Sequence, residues 1–322
     1  MTDRYARQRV LPQVGDAGQA RLAAARVLVV GAGGLGATVL PALAGAGVGH
    51  LRIVDADRVS ESNLHRQTLF SMADLGQPKA ASATARLSAL NPDPKIEVWD
   101  RWLDPALAPA ALAGCDLVID AADSFAASYI LSDHCQRQGM PLISASALGM
   151  TGYVGGFCGG APSLRAVFPD LPQRAATCAS AGVLGPVVAT LGALQAQMAL
   201  SVLLELTPSP LGQVLTVDLA GLRLGGFRFD GAPEPATALP FIARTDLTAQ
   251  DQVIDLRGPA EAPTPVTPGA QRLQADDAAT WPPLPPGRIV LCCRSGLRAW
   301  RAARHLAGLG HRDLALVALG DE

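Results

Sequence analysis

A strand that runs directly into a glycine-rich turn constrains this chain more than any other feature. Arg26-Val-Leu-Val-Val30 is a short apolar run, and Gly31-Ala-Gly-Gly-Leu-Gly36 follows it, opening an alanine-rich helix that reads to about Ala44. An apolar, β-branched run bounded by glycine is a buried strand. Strand, glycine turn and helix in that order begin a parallel α/β unit. Gly31, Gly33, Gly34 and Gly36 let the backbone approach a phosphate where the helix N-terminus attracts an anion. Asp55 ends the next strand, Leu51-Arg-Ile-Val54, where a carboxylate can hold ribose hydroxyls. These features alone serve NAD as well as ATP, so an NAD-dependent oxidoreductase stands as one reading.

The rest of the chain extends the pattern. Strands read at Ile96–Trp99, Asp116–Ile119 and Pro141–Ser144, with helices around Lys79–Leu90 and Ala126–Gln138. The alternation predicts a doubly wound, Rossmann-like α/β fold with a mostly parallel sheet. A polar helical arm to about Ala25 precedes it. After Gly149 come a strand at Thr151–Cys158, a loop over Gly160–Ala181, an apolar helix over about Pro186–Leu206, and closing strands at Val214–Asp218 and Leu222–Phe229. Pro233, Pro235 and Pro240 mark a linker over 231–247. It divides a first domain, 1–230, from a smaller α/β domain, 248–322. The smaller one has strands at Val253–Leu256 and Arg288–Leu291 and a basic helix beginning near Gly296.

Composition excludes several classes. Hydrophobic residues are 49% of the 322 and charged residues 17%, which suits a packed core and not a disordered chain. The net charge of −2, without a basic block, argues against nucleic acid or an anionic membrane as partner. No apolar run reaches the roughly 18 residues of a spanning helix, and Met1-Thr2-Asp3-Arg4-Tyr5 lacks the apolar core of a signal peptide. The expectation is a cytoplasmic protein whose six cysteines are thiols. None forms a Cys-x-x-Cys pair, so no cysteine zinc site is expected.

The segment Asp55–Gln67 shifts the balance from NAD to ATP. Asn63, Arg66 and Gln67 follow the second strand closely, and Lys79 opens the next helix after Gly76-Gln-Pro. A triphosphate needs such cations, because charge builds during displacement of pyrophosphate. Asp120 and Asp123 lie where a strand reaches the carboxyl edge of the sheet, and a carboxylate there can hold Mg²⁺.

With these motifs the stretch from Arg4 to about Phe229 resembles the MoeB/ThiF/HesA family, bacterial relatives of ubiquitin-activating E1 enzymes. The matching text is Arg4-Tyr-Ala-Arg7-Gln8, Arg26–Gly36, Asp55–Gln67, Gly76–Lys79, Asp120–Asp123 and Cys178–Pro186. The resemblance implies that Asp55 binds the ribose of ATP, that Asn63, Arg66, Gln67 and Lys79 contact its phosphates, and that Asp123 coordinates Mg²⁺. It also implies a homodimer in which Arg7 reaches the partner's ATP site, as an arginine finger would. The reaction implied is attack by a carrier-protein carboxylate on the α-phosphate, giving an acyl-adenylate and pyrophosphate. Cys178 lies on the expected crossover loop, where a covalent role and a buried hydrophobe are both open readings.

Some positions depart from that pattern. Ser163 and Ala166 stand where many relatives carry a zinc-binding Cys-x-x-Cys, and the second pair is missing around Asp230–Pro235. The expectation is no structural zinc, with packing in its place. The usual Asp-Asn-Phe reads Asp123-Ser124-Phe125, and Ser128 replaces an arginine, which puts the carrier's identity in question.

Residues 252–322 resemble a rhodanese-like domain through Asp255-Leu-Arg257-Gly-Pro-Ala-Glu261, Pro268-Gly-Ala270 and the loop Cys293-Arg294-Ser295-Gly296-Leu297-Arg298. A cysteine at a strand end, followed by a turn into a helix, places backbone N–H groups and arginines around a thiolate or persulfide. Cys292 is expected to point into the core. Val266 stands where a histidine is usual. Together the two domains imply activation of the C-terminal glycine of a small β-grasp sulfur carrier ending in Gly-Gly, as in molybdopterin or thiamin biosynthesis. Sulfur transfer from Cys293 would follow, the donor being a cysteine desulfurase or thiosulfate. Two alternatives remain: the same chemistry serving a siderophore or other natural product, and a nucleotide-binding scaffold with an inactive rhodanese module.

Overall fold

The structure is a computed structural model and describes residues 3–171 and 182–320. Among these, two sheets form. Strands β1 (Arg26–Val30), β2 (His50–Val54), β3 (Lys95–Trp99), β4 (Leu117–Asp120) and β5 (Pro141–Leu148) are parallel. β6 (Thr151–Cys158), β7 (Gln213–Asp218) and β8 (Arg223–Arg228) extend that sheet antiparallel, in the order β3-β2-β1-β4-β5-β6-β7-β8. The order reverses between β1 and β4, and in open α/β sheets ligands bind at that switch point.

Helices cover both faces. α1 (Ala6–Arg9) and α2 (Gly15–Ala24) form the arm. α3 (Gly36–Ala46) and α4 (Lys79–Leu90) lie on one face, where α3 packs on α8 (Gly185–Leu203). α5 (Ala108–Leu112) and α6 (Phe125–Gln138) cover the other, followed by the one-turn α7 (Leu164–Val167). α6 starts where the Ser124 side chain caps the Ala127 N–H and stops at Gly139, whose φ is 62°. Serine at the start and a left-handed glycine at the end are the local reasons for those bounds.

The small sheet is parallel, in the order β10-β9-β11-β12, from β9 (Gln252–Asp255), β10 (Gln271–Arg272), β11 (Ile289–Cys293) and β12 (Leu314–Ala318). α9 (Leu297–Gly308) covers one face. The two units share one apolar core: Tyr129, Ile130 and Leu131 of α6 belong to the same buried cluster as Leu291, Cys293 and Trp300.

The structure departs from two expectations. Within the proline-marked stretch, Phe241 forms a parallel bridge with Leu316, Ile242 N–H donates to Leu316 O (2.9 Å) and Leu316 N–H donates to Pro240 O (2.9 Å). The end of the expected linker is therefore an added edge of the small sheet. α8 corrects the expectation that no run is long enough to span a membrane, because its 19 residues are sufficiently long and apolar. Its apolarity serves the core instead: it packs on α3, β5 and β6, and its buried Gln195 donates to the carbonyls of Asp120 (2.6 Å) and Ile143 (3.1 Å). Where the segments around Ser163 and Asp230–Pro235 are expected to pack, Leu164, Phe229 and Ala232 share one apolar cluster, and hydrogen bonds add to it. Glu234 accepts from Ser163 Oγ (2.5 Å) and Ser163 N–H (2.7 Å).

Candidate active site

The glycine turn and the β4–α6 connection meet at the switch point. Gly31 has φ 100°, and a side chain there would come within 2.5 Å of Ala121 O. A side chain at Gly36 would meet Gly31 O at 2.2 Å. Only glycine allows this closeness. Asp55 ties the turn down: its carboxylate accepts from Ala32 N–H (2.7 Å) and Asp57 N–H (2.8 Å). Burial raises the Asp55 carboxyl above its ordinary pKa, opposed by the charge of Lys79.

The expected phosphate ligands gather over this turn. A Cβ at Gly33 would lie 3.6 Å from Gln67 Nε2, and one at Gly34 would lie 3.8 Å from the Arg66 side chain. Gln67 is buried, donates to Asn63 Oδ1 (3.1 Å), and has no hydrogen-bond partner for its own carbonyl oxygen among the described residues. Arg66 bonds to the neighbouring His65 ring (2.8 Å) and, at 3.4 Å, to Ser62 O. Lys79 is buried at the start of α4 and pairs with Asp57 at 2.6 Å. Asp57 is a partner that sequence reading missed. Its signal was the spacing from Asp55, two residues on at the same strand end.

The two expected acidic residues take different positions. Asp123 is exposed on the loop before α6, at the carboxyl edge of the sheet. Asp120 is fully buried at the end of β4, accepting from Ser144 Oγ (2.7 Å) and Ala122 N–H (3.3 Å). Burial pushes its carboxyl up to about 6, against the pull of bonds from Ser128 and Ser144. Ser128, in place of the usual arginine, also donates to Ser124 O (3.2 Å), so it turns inward and adds no cation. Ser144 and Gln195, which hold Asp120 from neighbouring elements, carried no sequence signal.

Arg7 is exposed on α1, and the adjacent Gln8 donates to Ala46 O (2.7 Å) at the far end of α3. α3 has 11 residues, so about 16 Å of helix separates that point from the glycine turn of the same chain. Arg7 does not join its own chain's site. Cys178 lies outside the described residues.

In the small sheet Cys293 is the last residue of β11 and Gly296 the residue before α9, with φ 81°. Cys293 Sγ accepts from Ala299 N–H (3.4 Å) and from the Arg298 side chain. Arg298 also donates to Leu256 O (2.9 Å) and pairs with Glu261. Arg294 and Ser295 are exposed, and Leu297 begins the helix. The thiol itself is fully buried. Cys292 points to the opposite face, among Val253, Val266 and Val317, and burial pushes its thiol up to about 12. Val266 packs on that face with Cys292 and donates its N–H to Asp255 (2.9 Å).

Known proteins resemble the first part of the chain. The model of the ThiF family matches residues 5–236. A sulfur carrier protein adenylyltransferase of Thermus thermophilus is 43% identical over 67% of this chain and 83% of its own length. A SAMP-activating enzyme E1 of Haloferax volcanii is 40% identical over 67% and 81%. An adenylyltransferase and sulfurtransferase MOCS3 of Bos taurus is 46% identical over 70% of this chain but only 50% of its own length. Among solved structures, E. coli MccB in complex with MccA-N7isoASN superposes with a TM-score of 0.65 at 21% identity, covering 73% of this chain and 75% of that one.

Proposed function

The chain belongs to the ThiF family, and on that premise we propose that it adenylylates the C-terminal glycine of a small ubiquitin-like sulfur carrier ending in Gly-Gly. The observation that carries this reading is the convergence of Arg66, Gln67 and Lys79 on the Gly31–Gly36 turn at the switch point, beside Asp123. The orphaned carbonyl oxygen of Gln67 and the exposed carboxylate of Asp123 suit a nucleotide with its metal. Relatives named for carrier activation support the substrate class.

In this reading the backbone of the glycine turn and the cations Arg66 and Lys79 bind the triphosphate, and Asp55 holds the ribose. Asp123 would hold Mg²⁺, which supplies positive charge to the phosphate oxygens when bound. The carrier's carboxylate oxygen attacks the α-phosphorus. A P–O bond forms, the bond to the β-phosphate breaks, and pyrophosphate leaves with the electron pair. Lys79 exchanges its bond to Asp57 for one to phosphate. Arg7 of a second copy would complete the site in a homodimer, because it cannot reach the site of its own chain. Nothing in the described site requires a membrane or nucleic acid.

The second half of the proposal is sulfur transfer. A Cys293 persulfide, loaded by a cysteine desulfurase or thiosulfate, attacks the acyl carbonyl through its terminal sulfur and AMP leaves. A further thiol then cuts the resulting disulfide and frees the thiocarboxylate. The full burial of Cys293 favours a second reading, in which the rhodanese-like unit is a packing module and the enzyme stops at the adenylate.

One experiment separates these readings. The protein is incubated with ATP and candidate Gly-Gly carriers, followed by pyrophosphate exchange and intact-mass measurement. Asp123→Ala and Lys79→Ala should each lower exchange by about 10²–10³-fold. Cys293→Ala should spare exchange and remove the thiocarboxylate mass. Absence of carrier-dependent exchange with every carrier would sink the first half, and an unchanged thiocarboxylate yield in Cys293→Ala the second.

A further inference from the structure

The loop that carries Asp123 is held from two sides. On one side lies Gly31, where a Cβ would come within 2.5 Å of Ala121 O and 2.9 Å of Ala122 N. On the other lies the turn that opens α9 in the small unit. A Cβ at Gly296 would meet Phe241 Cε1 at 2.6 Å and Ala126 Cβ, in the first turn of α6, at 3.4 Å. The Gly296 turn thus sits in the corner between Phe241 and the α6 N-terminus.

That corner is stiff. Phe241 is buried, and its backbone neighbours Pro240 and Ile242 are hydrogen-bonded to Leu316 of β12. The segment leading to it is tied to α6 itself. Arg165 pairs with Asp133 of α6 through two bonds (2.6 and 2.9 Å), stacks over Tyr129 of α6, and donates to Leu239 O (3.2 Å). The Cys293 thiol, buried beneath the same turn, contributes packing there. Close-packed interiors have low compressibility and transmit displacement.

We propose that Phe241 and Gly296 are positioning residues for the nucleotide site: the small unit presses on the first turn of α6 and thereby fixes Asp123. The proposal rests on the reading of Asp123 as a nucleotide-site residue. It gives the small unit a part in the adenylation half of the enzyme, independent of any sulfur chemistry at Cys293. Loss of the Phe241 ring frees the corner and lets the 121–126 loop move. Gly296→Ala drives a methyl group into the same corner and displaces it.

The test uses full-length protein and two readouts. Hydrogen–deuterium exchange at residues 121–128 reports loop mobility, with the β1 amides as an internal control for global unfolding. Titration with MgATP reports the site. Phe241→Ala and Gly296→Ala should speed exchange at 121–128, leave β1 protected, and weaken MgATP binding by about 10-fold. Phe241→Leu, which refills most of the volume, should restore affinity to within about threefold. Faster exchange at 121–128 with wild-type MgATP affinity would overturn the proposal, as would unchanged exchange in both variants. Failure of the wild-type protein to bind MgATP at all would instead remove the nucleotide-site reading, and is seen before any variant is made.

Discussion

Asp120 and Asp255 occupy the same place in two different sheets. Each ends a parallel strand, each is fully buried, and each accepts the backbone N–H of the residue two positions on. Their partners differ. Asp255 faces Arg257, which meets it through two side-chain bonds of 3.0 Å, and Val266 N–H adds another. Among the described residues Asp120 has only hydroxyls and a backbone N–H, and the nearby charge is that of another acid, Asp123. Burial raises both carboxyls. At Asp255 the Arg257 and backbone bonds outweigh burial and leave the group below its ordinary pKa, whereas at Asp120 burial wins. A carboxylate locked by its own cation is a latch. One without a cation leaves the strand end electrostatically open, and the candidate nucleotide site lies beside the open one.

The largest effect is expected at Arg257. Arg257→Leu leaves Asp255 buried without its cation, so urea denaturation should show a loss of about 3–5 kcal/mol. A loss under about 1 kcal/mol would mean that backbone N–H groups hold Asp255 unaided. The next test is Asp120→Asn. With its pKa raised to about 6, Asp120 contributes stability that is complete below the ordinary carboxylate range near 3.8 and is lost as pH rises through 6. The variant should therefore gain on wild type as pH rises from about 4 to 6, with a plateau of up to about 3 kcal/mol above that. A gap that does not vary with pH would show that Asp120 does not titrate there. Asp255 has the opposite sign: its stability is present above the ordinary carboxylate range and lost as pH falls below it. The smallest effect concerns the clip outside both strand ends. Ser163→Ala removes the helix cap and one bond to Glu234, for an expected loss of about 1–2 kcal/mol in the same denaturation assay.

Much of the large sheet was legible because its signals are local. The apolar run Arg26–Val30, the glycines after it and the pattern from Lys79 to Leu90 each specify an element without help from distant residues, and the structure places them at those bounds. The small unit was less legible. β10 has two residues, and Phe241 becomes strand-like only because Leu316 offers an edge. The site divides in the same way. Arg66, Gln67 and Lys79 could be picked out because cations and amides near a glycine turn are unusual. Ser144 and Gln195 could not, since their importance comes from the buried oxygens of Asp120, which they meet only after folding. The bonds between Ser163 and Glu234 were invisible for the same reason: the two residues are 71 apart.

The crowding of the β4–α6 loop also limits how this protein can evolve. Between Ala121 and Ala126 the chain is flanked by Gly31, whose approach leaves no room for a methyl group, and by Gly296, where a methyl group would touch Ala126 at 3.4 Å and clash with Phe241. Substitutions that keep the path of the backbone can be accommodated there, whereas a change in the number of residues cannot. An insertion or deletion in this stretch would have to be matched by changes in two other loops, so lineages should diverge here by substitution and keep the length constant.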